Sequence, residues 1–312
     1  MNPLKWLFIQ QLTLFKFKHK CGGFTLIELL VGIVIATLVI TPLLGFMINI
    51  MTTERQEQAK ANTEQEIKAA LDYIARDLQQ SVYIYDADGI NKIRQQLPKK
   101  KDDEKKKFVP ILVFWKRQFI SKEDSKIQND IFFYSLVAYY LITENNSRWS
   151  KAARIGRFQI SDGYEPTKTN DKDIWRDKGF QIFNLQASGN LKSKMNQWTK
   201  KSDEDYTQDI VTLVDYMDKT LINNTTNPAP PNCTIDQKEP KVSGSDAVAT
   251  GNVKTRGFYV CVDSENNLAE IYLRGNALAR IQNNNIDFRE SQKAYFPQVN
   301  MRVQGNGFLL TK

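Results

Sequence analysis

Histidine is almost missing from this chain: His19 is the single one among 312 residues. It stands before the long apolar run, away from the bulk of the polar sequence. That scarcity removes Ser-His-Asp and Cys-His nucleophilic catalysis and histidine-based metal sites from the body of the protein. Cysteine is also scarce, at three residues, Cys21, Cys233 and Cys261, too few without histidine for a zinc site. Carboxylate-only chemistry needs just two acids, yet nothing among the 35 acidic residues marks a pair. The expectation is no enzyme, no catalytic residues, no metal and no cofactor.

Charge is missing from one place in particular. Between Leu29 and Met51 no residue carries one, a stretch longer than the ~20 apolar residues that cross a ~30 Å hydrocarbon layer. Just ahead stands Cys21-Gly22-Gly23-Phe24-Thr25-Leu26-Ile27-Glu28, which sets one carboxylate at the head of an apolar segment. An acid near a bilayer centre costs about 2.5–3.5 kcal/mol, less towards the interface, so Glu28 asks for a cationic partner. A secretory signal carries its cleavage site after the apolar region. Here the Gly-Gly pair comes before it, so a cut there leaves the hydrophobic helix attached.

Gly23-Phe24-Thr25-Leu26-Ile27-Glu28 resembles the processing site of type IV pilins and of the pseudopilins of type II secretion systems. The resemblance implies cleavage by a prepilin peptidase between Gly23 and Phe24, and N-methylation of Phe24 as the new terminus. It also implies that Glu28 neutralises the Phe24 ammonium of its own or a neighbouring subunit as a filament assembles. An amine and a carboxylate are tolerable together in lipid only as a pair. The implied partners are the peptidase, other pilin-like subunits, an inner-membrane assembly platform and membrane lipid.

Residues 1–23 then form a leader with Lys5, Lys16, Lys18 and Lys20 and no acid. Lysines flanking a span stay cytoplasmic, which places the N-terminus inside and the C-terminal bulk in the periplasm, as a single-pass inner-membrane protein. Loss of the leader would take the net charge from +8 to +4. Nucleic-acid binding needs a focused basic patch, and the obvious run, residues 99–107, is split by Asp102, Asp103 and Glu104. It reads as a solvated loop, and no nucleic-acid partner is expected. In an exported domain Cys233 and Cys261 are candidates for one disulfide, with two buried thiols as the alternative.

Helical spacing continues past the span. Ile67, Leu71, Ile74 and Leu78 form an apolar stripe after turns made soluble by Glu54, Arg55, Glu57, Lys60 and Glu64. Residues 25–80 therefore read as one helix of ~80 Å, lipid-borne over 24–51 and amphipathic over 52–83. Pro42 and Gly45 predict a kink or local melting. The remainder, 84–312, reads as a β-rich globular domain. Strands are expected over 108–115, where Pro110 favours an edge or a strand start, over 131–142, and in a hairpin of 257–262 with 268–273. Residues 296–303 and 308–310 are expected to close the sheet. Residues 163–209 read as loop with an apolar island at 180–183. Ile210, Leu213, Val214 and Met217 fit one face of a short helix, with a strand as the alternative.

The expected architecture is thus α+β: a pilin-like long N-terminal helix on an antiparallel sheet with large loop insertions. Ala75-Arg76-Asp77-Leu78-Gln79-Gln80-Ser81 and Val137-Ala138-Tyr139-Tyr140-Leu141 resemble the minor pseudopilins of the J group in type II secretion. Residues 272–280 with 211–217 resemble the cyanobacterial hormogonium polysaccharide secretion pseudopilins. These resemblances imply a minor pseudopilin in a filament assisting export, with polysaccharide as the cargo. A minor pilin of a retractile pilus for motility or DNA uptake is the nearest alternative. A membrane-anchored carbohydrate-binding domain, using Trp149, Trp175 or Trp198, is another. Asp86-Ala87-Asp88-Gly89-Ile90-Asn91 has the acidic spacing of a calcium loop but Leu97 where the bidentate Glu belongs, and reads as a turn. Arg274-Gly275-Asn276 also reads as a turn, with a partner surface as the other role for its arginine.

Overall fold

The computed structural model describes residues 23–98, 107–120, 131–144, 147–162, 176–223, 225–228, 255–307 and 309. Helix α1 runs from Leu26 to Gln79 over 54 residues. It passes through Pro42 without losing helical assignment, so the expected local melting does not occur. Around the proline Thr37 and Thr41 turn their hydroxyls back onto the carbonyls of Val34 and Thr37. This keeps their polar atoms bonded within the helix.

The chain divides into two compact units, residues 1–54 and 55–312. In the first, every described side chain from Gly23 to Met51 is exposed. This is the one helix among the described residues whose length and composition suffice to cross a membrane.

The second unit has a five-stranded antiparallel sheet in the order β1-β2-β3-β4-β5 and a three-stranded one in the order β6-β7-β8. Their strands are β1 Ser81–Ile84, β2 Phe108–Ile120, β3 Ile131–Ile142, β4 Ala153–Ser161 and β5 Val211–Met217. The smaller sheet has β6 Phe258–Asp263, β7 Leu268–Arg274 and β8 Gln298–Gln304. Short helices α2 Ala87–Ile93, α3 Leu191–Asn196 and α4 Leu278–Ile281 and a 3-10 turn, Glu290–Tyr295, lie between them.

The apolar stripe of α1 explains the arrangement. Ile67, Ala70, Leu71, Ile74, Ala75 and Leu78 bury against Val137, Tyr139 and Leu141 of the larger sheet and Val260, Ile271 and Leu273 of the smaller. Each such Leu or Ile contributes about 1.5–3 kcal/mol by leaving water. The opposite face of the larger sheet is buried too. Leu136, Ala138, Tyr140 and Ile142 pack with Trp115, Phe180, Phe183 and Trp198. β3 is apolar at almost every position, and from Ser135 to Ile142 both its faces are covered.

The structure decides between the alternatives that the sequence left open. Pro110 lies near the start of β2 but not on an edge strand. The register shifts between Pro110 and Leu112, a bulge that spares the missing donor. Residues 211–217 form an edge strand, not a helix. Residues 180–183 are an apolar island in loop, as expected: Phe180 and Phe183 are buried and cover Trp115 edge-on at 5.8 and 5.0 Å. The hairpin does form, with Phe258 opposite Leu273 and Asp263 opposite Leu268. Phe308 and Leu310 lie outside the described residues.

Candidate functional site

The head of α1 is built by four residues. Gly23 is exposed, and a Cβ added there would meet nothing within 4 Å. Nothing in the described chain itself requires glycine at this position. Phe24 is 85% exposed. Thr25 caps the helix: its carbonyl accepts from Leu29 N at 3.1 Å, and its hydroxyl accepts from Glu28 N at 3.3 Å. In return the Glu28 carboxylate accepts from Thr25 N at 3.1 Å and from the Thr25 hydroxyl at 3.0 Å. This reciprocal Thr-x-x-Glu arrangement is a capping box, which satisfies two of the donors a helix N-terminus leaves open. A carboxylate there is also favoured by the helix dipole. Glu28 therefore has a local role that its membrane cost alone did not reveal, although the four-residue pattern was visible in the sequence. Its carboxylate lies on the helix face it shares with Phe24, Ile27, Val31 and Ile35, bonded to the Thr25 amide, the next one along the chain after that of Phe24.

Two buried polar hubs hold the second unit together. Asp77, at the end of α1, receives Lys116 Nζ at 2.9 Å from β2, the Tyr139 hydroxyl at 2.7 Å from β3 and Arg157 Nε at 2.8 Å from β4. Burial alone would raise the Asp77 carboxyl. The hydrogen bond and charge of Arg157, with help from Lys116 and Tyr139, hold it below its usual value instead. Burial lowers the Lys116 ammonium, opposed by Asp77. The second hub is Arg274, only 1% exposed, whose Nε donates to Asp218 at 2.8 Å and whose Nη2 donates to Asn227 at 2.8 Å. Thr220 donates its hydroxyl to the same Asp218 at 2.6 Å and accepts from Phe288 N at 2.6 Å. The backbone here is so close that a Cβ on Gly257 would lie 1.9 Å from the Asp218 carbonyl oxygen. Arg274 thus has no surface to offer a partner. It joins the smaller sheet to the segment following β5.

The remaining candidates sort by burial. Cys261 on β6 is disulfide-bonded and 2% exposed, while Cys233 lies outside the described residues. Trp198 is 4% exposed and donates Nε1 to Gln181 O at 2.6 Å, which makes it part of the core. Trp149 is 40% exposed. Trp175 and residues 99–106 lie outside the described residues. Asp86 is the N-cap of α2, accepting from Gly89 N at 2.8 Å and pairing with Lys192 at 2.5 Å. Among the described residues no three His, Cys, Asp or Glu side chains gather as a metal site.

Residues 18–44 match the family described as the prokaryotic N-terminal methylation motif. No curated protein and no solved structure matches the chain. The motif, the exposed apolar helix that follows it and the antiparallel sheet packed on that helix's distal half indicate a type IV pilin-like structural subunit.

Proposed function

We propose that this chain is a minor pseudopilin, a subunit of a short type II secretion-like filament that assists export of polysaccharide. The observation that carries the reading is the Glu28 carboxylate, held by the Thr25 amide and hydroxyl at the head of an exposed apolar helix. Cutting the Gly23–Phe24 bond would create a cation, the Phe24 ammonium, one residue before the Thr25 amide and hydroxyl that are the carboxylate's present, neutral partners. A charge-assisted bond is about twice as strong as a neutral one. The processed terminus is therefore ready to pair with Glu28, in its own chain or its neighbour's. Residues 1–23 would be the leader, 24–51 the span, 52–83 the amphipathic continuation and 84–312 the exported domain. The leader lysines support a cytoplasmic N-terminus and a periplasmic domain. The size of that domain suits a minor component better than a compact repeating subunit.

The test is site-specific crosslinking in cells with and without the prepilin peptidase, combined with measurement of secreted polymer after deletion of the gene. Crosslinks to other pilin-like subunits that depend on the peptidase, with secreted polysaccharide reduced on deletion, support the reading. Loss of twitching or DNA uptake with secretion intact points to the retractile pilus instead. Peptidase-independent behaviour refutes both.

A further inference from the structure

An open cleft of about 620 Å³ lies between the loop joining β3 to β4, the end of β5 and the turn after α4. Its lining includes Ser147, Arg148, Trp149, Lys151, Asp215 and Asn283. The volume falls within the range of small-molecule sites, roughly 300–1,000 Å³. The geometry points to a saccharide-binding cleft that takes one segment of an acidic polysaccharide, with Trp149 as its platform. This inference rests on the reading of the chain as an export subunit for polysaccharide, and gives that subunit a direct hold on its cargo.

Four observations converge on that assignment. Of the tryptophans the structure describes, Trp115 and Trp198 are buried and Trp149 is exposed. An indole at a polar cleft presents an apolar plane beside hydrogen-bonding groups. A pyranose has the matching chemistry, a C–H face and a rim of hydroxyls. Ser147 and Asn283 supply donors and acceptors for those hydroxyls, while a lipid or an apolar peptide would find little here to cover it.

The platform is also held in place before any ligand arrives. Asp215 accepts from Ser150 N at 2.8 Å, from the Ser150 hydroxyl at 2.7 Å and from Tyr216 N at 2.8 Å. Ser150 Oγ accepts in turn from Ala152 N at 3.1 Å. Arg154, buried and paired with Glu144 at 2.8 Å, packs 5.8 Å from the Trp149 ring centroid. A fixed loop spends less of its binding energy on ordering.

Charge decides the class of saccharide. Among the described residues that line the cleft the one carboxylate, Asp215, already takes three donors, whereas the Lys151 side chain is exposed on its rim. Lys219 donates to the Lys151 carbonyl and adds a further cation nearby. A carboxylate-bearing sugar meets this rim better than a neutral one.

Finally, Tyr216 on the cleft wall has φ +58°, a left-handed conformation that a bulky side chain adopts only when its surroundings impose it. Arg280, stacked 3.9 Å over the Tyr216 ring, and Asn276 N, bonded to the Tyr216 carbonyl at 2.6 Å, impose it. Such imposed strain gathers at ligand sites.

The experiment uses the full chain in detergent micelles, titrated calorimetrically with uronic-acid oligosaccharides and, separately, with neutral glucan oligomers of equal length. Expected are binding of the acidic probes that weakens as salt rises and weaker binding of the neutral ones. Trp149→Ala should lower affinity for acidic probes by about tenfold or more, as loss of a central aromatic anchor does, with Trp149→Phe recovering much of it. Lys151→Glu, at an exposed position, should weaken acidic probes selectively and keeps the test open should Trp149→Ala fail to fold. No binding by the wild-type chain, or equal binding by a folded Trp149→Ala, overturns the cleft. Neutral probes binding as well as acidic ones overturn the acidic assignment. Crosslinking of Trp149→Ala to other subunits is expected to match wild type. A chain that crosslinks but binds no sugar refutes the cleft alone, and one that binds sugar but never crosslinks keeps the cleft and refutes the filament.

Discussion

The Glu28 carboxylate accepts two hydrogen bonds from Thr25, one from its amide at 3.1 Å and one from its hydroxyl at 3.0 Å. The carboxylate proposed to pair with the processed N-terminus is therefore engaged in the unprocessed one, and cleavage would exchange a neutral partner for a charged one. Glu28→Leu should leave insertion and the β-rich unit intact, because leucine suits lipid better than glutamate. It should reduce crosslinking to other subunits severely, since an unpaired buried ammonium costs several kcal/mol. Thr25→Val removes only the capping hydroxyl, worth about 1 kcal/mol, and should reduce crosslinking much less. Assembly of Glu28→Leu at wild-type level would show that the carboxylate serves the helix cap alone.

Processing itself is read by intact mass. Protein from cells containing the peptidase should have lost residues 1–23 and gained one methyl group at Phe24. Gly23→Ala should slow or block the cut. Its Cβ meets nothing within 4 Å in the chain itself, so a processing defect in that variant would come from the peptidase's approach and not from misfolding. A mature terminus elsewhere would remove the proposed role of Phe24.

How much of this was legible in the sequence depended on range. The long N-terminal helix and the stripe Ile67, Leu71, Ile74 and Leu78 are local patterns, and the structure places them as read; the Thr25–Glu28 capping box is equally local but went unread. The segment 211–217 was ambiguous because Ile210, Leu213, Val214 and Met217 mimic helical spacing. Its period of two is broken by register shifts at Ala153/Ile155 and Ile155/Gly156 and by the left-handed Tyr216. Asp77 and Arg157 stand 80 positions apart, and no local pattern joins them. Trp149 and Trp198 look alike as sequence. Only the fold shows that Trp198 fills a cluster around Trp115, 5.7 Å away, while Trp149 stays at the surface. Arg274 sits in an apparently polar turn, but its burial follows from the meeting of two sheets.

The disulfide is a separate matter. Cys261 is disulfide-bonded, and Cys233 is its proposed partner. Mass spectrometry of the processed chain without reductant should find one intramolecular Cys233–Cys261 link. Its loss in Cys233→Ser should lower stability by about 3–4 kcal/mol on the chain-entropy account. Alkylatable thiols at both positions in protein isolated from cells without reductant would refute the pairing.

Asp77 is where acid should act on the β-rich unit. Its carboxyl is held below the usual value by Arg157, Lys116 and Tyr139 against the opposing effect of burial. A group depressed in the folded state contributes stability that is complete above its unfolded value, 3.8. That contribution is lost as pH falls through the lower folded value. Wild-type stability should therefore decline below about pH 4, measured by thermal unfolding of the full chain in detergent with tryptophan fluorescence. Asp77→Asn should cost about 3–5 kcal/mol at neutral pH, because it leaves the cations of Lys116 and Arg157 buried without their counter-charge. It should also flatten the acid limb, since the titrating group is gone. Lys116→Met added to Asp77→Asn should recover part of the loss, as one unpaired cation is replaced by apolar bulk at a position 4% exposed. Unfolding of Asp77→Asn at the wild-type temperature across the whole range would mean that the carboxylate does not tie α1 to the sheet. The helix would then be held there by its apolar stripe alone.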